Sequence, residues 1–245
     1  MNSYYHLDLQ LGLNSLSAEE SLHCARSHRA QVGESVMLVN GMGGRGVGRI
    51  ASISRSVVTV EVEDLVQEAQ QACERNWIGI APTKHMDRME WFVEKAVEVG
   101  VGRISFFYSQ YSERRELRQD RLWRIVVEAG KQCQASWFPS LEGPMSFVEL
   151  LADARVSAYS RAIAHYPSTG LIPLESFIQV SEKMPKLLLV GPEGGFSGDE
   201  YAQAIDSGYL GVSLGTRRLR TETAALTGCV VLAHADARKD IYATK

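Results

Sequence analysis

The sequence predicts an α/β protein in which a small N-terminal β domain precedes a mainly parallel sheet flanked by helices. Three observations carry that reading. Up to about residue 70, short β-branched runs are split by Gly, Asn and Ser, as in a small barrel or sandwich. From about Trp77, short apolar runs alternate with stretches of helical periodicity, which is how parallel βαβ units read. Two late segments rich in glycine and charge, 191–195 and 214–223, each follow an apolar run directly. That places them at strand ends, where open α/β sheets bind ligands. The boundary falls near residue 72, giving domains 1–72 and 73–245.

The elements follow in order. Glu19 to Arg29 reads as a short helix. Val36 to Val39 is a strand that runs into a glycine-rich turn, and Gly46 to Ile53 and Val57 to Val62 continue the β pattern. Glu68 to Asn76 is polar and reads as a linker. Ile78 to Ala81 is a short strand. Met86 to Val99 is a helix, since Met89, Phe92, Val93, Ala96 and Val97 recur at spacings of three and four, and Gly100 stands at its C-cap. Arg103 to Tyr108 is a strand, Leu117 to Lys131 a helix, and Val156 to His165 and Lys186 to Val190 are strands. Ser197 and Glu200 have the capping-box spacing, so a helix begins there and stops near Gly208. Leu210 to Leu214 is a strand. Thr221 to Ala237 is the last helix, with Thr221 as its cap and Glu222 in its first turn.

Composition narrows the function. At 45% hydrophobic and 22% charged residues, the chain has enough apolar material for a sizeable core. No apolar run approaches the roughly 18 residues that span a bilayer, and the N-terminus lacks a basic segment followed by an apolar one. A cytoplasmic protein without a membrane partner is expected. Cys24, Cys73, Cys133 and Cys229 stand apart with no CxxC pair, so neither a metal site nor a disulfide scaffold is expected. The net charge of −3 does not by itself point to nucleic acid. Locally, Leu22 to Ser56 sets Arg26, Arg29, Arg45, Arg49 and Arg55 against one acid, Glu34, which fits a phosphate-binding patch and a solvated surface equally well.

Gly41-Met-Gly-Gly-Arg-Gly46 matches the dinucleotide fingerprint GxGxxG, but the residues after it are β in character. The fingerprint requires a helix there, so the segment reads as a hairpin loop. The two late loops remain. Three glycines within Gly191-Pro-Glu-Gly-Gly195 let the backbone approach a ligand closely, and no phosphate-cradling lysine follows. In Leu214-Gly-Thr-Arg-Arg-Leu-Arg-Thr-Glu-Thr223, Arg220 is a cation just before a positive helix end, an awkward local choice that points to function.

Together these motifs resemble the RsmE family, the 16S rRNA uracil-N3 methyltransferases of the SPOUT superfamily. Its late patterns, GPEGG(F/L)S..E and LG.R.LRTETA, match Gly191 to Ser197 with Glu200, and Leu214 to Ala224. Met89 to Val101, Ser112 to Arg114, and His23 to Arg29 with Gly33 are similar to earlier family segments. The chain departs from the pattern at His28, Lys131, Ala135 and Arg218.

The resemblance implies a PUA-like RNA-binding β-barrel over 1–72 and a SPOUT domain with a deep trefoil knot over 73–245. It also implies S-adenosylmethionine as cofactor, 16S rRNA of the small ribosomal subunit as partner, and a homodimer. The cofactor residues it implies are Ala164 and His165, then Gly191, Pro192, Glu193, Gly194 and Gly195, then Leu214, Gly215, Leu219, Arg220 and Thr221. Arg26, Arg29, Arg45 and Arg114 are the implied RNA contacts. Arg220 is expected to stabilise negative charge on the uridine, with Glu193 or Glu222 acting as base or holding arginine side chains. The rival readings are a SPOUT enzyme acting on a ribose 2′-OH or a tRNA base, and an RNA-binding assembly module without catalysis.

Overall fold

The computed structural model describes residues 1–245 apart from 28, 55–56, 72, 114–115, 167–169, 182–183 and 244–245; the side chains of 27, 73 and 238–243 are also outside the description. The chain forms two compact units. The first comprises Met1–Gln70 with Val126–Phe138, and the second Gln71–Ile125 with Pro139–Lys245.

The first unit is built on a five-stranded sheet in the order β1-β3-β4-β5-β2. Its strands are β1 (Asn2–Tyr5), β2 (Gly12–Ser15), β3 (Ser35–Val39), β4 (Gly44–Ile53) and β5 (Val58–Gln67). β1 pairs with β3 in parallel and the other pairs are antiparallel. Alternation decides the inner face: Val58, Val60 and Val62 are buried while Glu61 and Glu63 face out. They join Tyr4, Leu16, Val36, Leu38 and Ile50 in one core. Residues 40–43 form the turn into β4, which Gly44 to Gly46 begin, and a side chain at Gly43 would run into Trp137, Gln67 and the Glu68 carbonyl. The protein itself fills the space over this glycine loop, so it is a packed hairpin with no room for a pyrophosphate.

The helix expected over Glu19–Arg29 is shorter and changes form. Ser17 caps α1 (Ala18–Leu22) by accepting the Glu20 N–H, and a π-helical turn, His23–Ser27, follows. Arg29 then adopts a left-handed backbone, φ 50°. The first unit also takes the second half of α3 (Gln119–Gln132). There Lys131 Nζ meets Glu20 Oε1 and Glu128 Oε1, each at 2.7 Å.

The second unit carries a seven-stranded sheet whose strand pairs are all parallel, in the order β10-β12-β9-β11-β6-β7-β8. Its strands are β6 (Trp77–Ile80), β7 (Arg103–Tyr108), β8 (Ser140–Ser146), β9 (Ser160–Ala164), β10 (Ile172–Pro173), β11 (Lys186–Val190) and β12 (Leu210–Ser213). Its helices besides α3 are α2 (Met86–Val99), α4 (Phe147–Leu151), α5 (Leu174–Val180), α6 (Gly198–Asp206) and α7 (Thr221–Ala243). Every residue of the central strand β11 is buried, as helix-covered parallel strands require.

Gly100 ends α2 in a left-handed conformation, and Ser197 with Glu200 forms both bonds of the capping box on α6. The strand expected from Val156 begins later. Asp153 accepts the Arg155 N–H and sets up a 3-10 turn over Ala154–Ala158, so β9 starts only at Ser160. Among the described residues no helix is long and apolar enough to cross a membrane.

Helix α7 is fastened to β11 at both ends of the strand. Near the cleft described below, the Thr221 hydroxyl donates to the Gly191 carbonyl at 3.1 Å. At the other end, Lys186 Nζ meets Asp236 Oδ1 at 2.6 Å, and Asn76 donates to Asp236 Oδ2 at 2.8 Å. Fifteen helical residues rise about 22 Å, against roughly 17 Å for five strand residues. The two clamps therefore fix the register of helix on strand.

Candidate functional site

β11, β9 and β12 are neighbours in a parallel sheet, so their carboxyl ends open on the same edge. The segments leaving them enclose a cleft of about 320 Å³, within the range of small-molecule sites. Ala164 and His165 line it from the end of β9. Gly191 to Gly195 line it from β11, and Leu214, Gly215, Leu219 and Thr221 from β12 and the start of α7. The expected cofactor residues converge here except Arg220, which is exposed and not part of the wall. Tyr166, Val190, Arg217, Arg218 and Ala224 also line the cleft. For the two arginines the sequence did give a signal, their place inside the same charged loop.

The first loop is held from several sides. The Gly195 N–H donates to the Pro192 carbonyl at 2.8 Å with Gly195 at φ 75°, a turn that an L side chain would strain. No atom lies within 4 Å of where its Cβ would stand. Glu193 Oε1 accepts the Lys84 N–H at 3.1 Å, and the Glu193 carbonyl accepts Arg218 Nη2 at 2.9 Å. Glu200 adds a brace, accepting the Gln110 N–H at 2.7 Å with the oxygen its capping box leaves over. His165 stacks on Tyr201, with centroids 4.7 Å apart, and burial lowers its pKa and favours the neutral imidazole.

Thr221 corrects one expectation. It is the first helical residue, and its hydroxyl donates to Gly191 across the cleft floor. The Ala224 N–H bonds to the Arg220 carbonyl at 2.7 Å, so Arg220 itself occupies the cap position. Its guanidinium is exposed and, among the described residues, makes no hydrogen bond or ion pair. Glu222 is buried beside it. One carboxylate oxygen lies 3.8 Å from Arg88 Nε, and the other has no hydrogen-bond partner.

The basic candidates of the first unit divide. Arg26 and Arg29 are exposed. Arg45 is engaged within the unit, pairing with Glu68 at 3.0 Å and donating to the Gln134 carbonyl at 2.9 Å. Arg114, like His28, lies outside the described residues. Among the described residues no group of three or more His, Cys, Asp or Glu is placed to hold a metal.

Comparison with known proteins identifies the family. The model of the RNA methyltransferase domain family matches residues 70–233, and that of the RNA methyltransferase PUA domain matches 16–63. The chain belongs to the RNA methyltransferase domain family. The resemblance to RsmE is borne out by curated relatives. The Ribosomal RNA small subunit methyltransferase E of Bacillus subtilis is 25% identical over 223 residues, 86% of each chain. Among solved structures, a probable rRNA-methyltransferase from Porphyromonas gingivalis is 34% identical with a TM-score of 0.89, covering 97% of this RNA methyltransferase and 99% of that chain. A Ribosomal RNA small subunit methyltransferase E from Neisseria gonorrhoeae bound to S-adenosyl methionine is 25% identical, with a TM-score of 0.81 and 98% of each chain covered.

Proposed function

We propose that this chain methylates N3 of a uridine in the 16S rRNA of the small ribosomal subunit, with S-adenosylmethionine as methyl donor. The observation that carries the reading is the convergence of three strand-end segments on one cleft, with Gly191 to Gly195 and Leu214 to Gly215 in its lining. The fit is favourable: open space stands over Gly195 and Gly215, and a neutral imidazole lies in the wall. A relative of the same family carries S-adenosyl methionine. The cofactor, when bound, supplies an electrophilic methyl group on a sulfonium.

The chain's own residues then have distinct tasks. The exposed guanidinium of Arg220, unpaired among the described residues at the positive end of α7, suits negative charge developing on a uridine oxygen as N3 loses its proton. Glu193 and Glu222 suit holding roles. The first is engaged by the Lys84 N–H and the second sits beside Arg88. Residues 1–72 act as the RNA-binding domain, with Arg26 and Arg29 free to meet phosphates, and 73–245 as the methyltransferase domain.

Two further features belong to this reading. A trefoil knot is supported by the chain path, since β12 pairs on the far side of β9 while Thr221, eight residues after β12, bonds to the loop following β11. A homodimer is supported by apolar surface left open on α7 and α2 at Val230 and Trp91, and the cytoplasm, where ribosomal RNA is the substrate, is the expected compartment. The deciding experiment is labelled methyl transfer to small subunits that lack the modification, with mass analysis of the nucleoside, run on wild type and Arg220→Ala in parallel. The expected product is 3-methyluridine, formed about 100-fold more slowly by the variant. Label on a ribose or another base, or an unimpaired variant, overturns the corresponding assignment.

A further inference from the structure

Arg218 is a charged side chain in the wall of the cleft. Its Nη2 donates to the Glu193 carbonyl at 2.9 Å, joining the two loops that wall the cleft.

The two loops are not equally constrained. The first is fixed by the Gly195–Pro192 turn, by the Lys84 N–H on the Glu193 carboxylate, and by the Thr221 hydroxyl on Gly191. The second is fastened at its start, where Ser213 Oγ bonds to the N–H and carbonyl of Gly215, and at its end by the first turn of α7. From Thr216 to Arg220, the Arg218 bond is the one hydrogen bond to the first loop found among the described residues. Arg217 and Leu219, on either side of it, also face the cleft. Whatever holds Arg218 therefore holds that wall.

We propose that Arg218 is a positioning residue, a strap that ties the middle of the second loop to the first loop and sets how long the cofactor stays bound. This rests on the reading that the cleft holds S-adenosylmethionine. The bond joins a charged donor to a neutral carbonyl at an exposed site, so it is strong enough to bias the loop and weak enough to open for entry and release. The strap acts on residence and leaves the chemical step alone, because Arg218 donates to protein backbone.

The test measures cofactor dissociation without RNA, by stopped-flow chase, alongside steady-state kinetics with small subunits. Arg218→Ala is expected to release S-adenosylmethionine about tenfold faster and to raise its KM by a similar factor. Its kcat at saturating cofactor should stay within about twofold of wild type, since the chemical step is untouched. Arg218→Lys, which keeps one N–H donor, is expected to recover most of the loss. The melting temperature of the cofactor-free variant should match wild type, which separates a strap from a folding contact.

Wild-type dissociation from Arg218→Ala overturns the strap, as does a loss confined to kcat or to the KM for RNA. A lysine variant no better than alanine also overturns it. If wild type itself fails to bind S-adenosylmethionine, the reading of the cleft falls first. That outcome is distinct from wild type binding normally and the alanine variant matching it.

Discussion

In the second unit Lys186 meets Asp236 at 2.6 Å, and in the first unit Lys131 meets Glu20 at 2.7 Å. All four side chains are more than nine-tenths buried. The similarity ends at the remaining polar atoms. Asp236 gives its second oxygen to Asn76, whose own oxygen accepts the Lys186 N–H at 2.9 Å, so the network links the residue before β6 to β11 and α7. Glu20 keeps its second oxygen buried without a partner. Its lysine leans equally on Glu128, which is 57% exposed. One pair is a braced pin behind the cleft. The other is a loose joint under the helix that leads to Arg26. The contrast teaches that burial and distance do not rank buried ion pairs; the partner left behind when one member is removed does.

The sharpest break of that comparison is Asp236→Ala. It strands the Lys186 ammonium in the core with no second carboxylate beside it among the described residues, and it frees the far end of α7. A loss of about 3–5 kcal/mol in unfolding free energy is expected, measured by urea denaturation. Methyl transfer should fall with the folded fraction. A variant within about 1 kcal/mol of wild type would show that Lys186 discharges or finds water at little cost, and the idea of a pin would not survive.

The joint in the first unit can be brought to the equivalent of the broken pin by removing both of its acids. In Glu20→Gln with Glu128→Gln, Lys131 is left buried among neutral groups, as Lys186 is in Asp236→Ala. About 3 kcal/mol of destabilisation is expected. The excess over the sum of the single variants measures how far the two carboxylates substitute for each other. Strict additivity in the double variant would contradict the shared role drawn from the two 2.7 Å contacts.

Neither pair was legible in the sequence, and the reason is physical. Lys186 reads as the polar residue opening a strand, and Asp236 as an acid on a late helix. Only the parallel sheet brings them together, fifty positions apart. Arg45 reads as a free cation for the same reason, since its partners Glu68 and Gln134 come from other parts of the chain. β8 was missed because its residues are mostly half-buried at a sheet edge, interrupted by Gly143-Pro144, with no alternation to announce a strand. What periodicity and turn chemistry control locally was visible: α2 with Gly100, the Ser197 box, and the strands β11 and β12 with the loops that follow them. The cleft was legible because strand ends in an open parallel sheet are a ligand site by geometry. Thr221 was misassigned because a cap and a cross-loop donor look alike in one dimension.

Glu20→Gln alone is the smallest effect and the most discriminating one, because its sign depends on pH. Burial pushes the Glu20 carboxyl above its usual range, and Lys131 pulls it back only in part. Burial also opposes the charge on Lys131, but Glu128 and Glu20 together more than offset that and raise its pKa. The two members thus pull in different directions. The lysine stays charged with Glu128 to lean on, and Glu20 is the member that burial penalises. A carboxyl raised in the folded state gives its full stabilisation below its unfolded pKa, near 4.5. That contribution is lost as pH rises through the raised value. Glutamine does not titrate. The variant should therefore be less stable than wild type near pH 4 by under about 1 kcal/mol, and should close the gap or overtake it by pH 7. Urea midpoints for both proteins across that range check the claim. A variant that falls further behind as pH rises would mean the Lys131 attraction outweighs the orphaned oxygen. The joint would then be a pin like the one formed by Lys186 and Asp236.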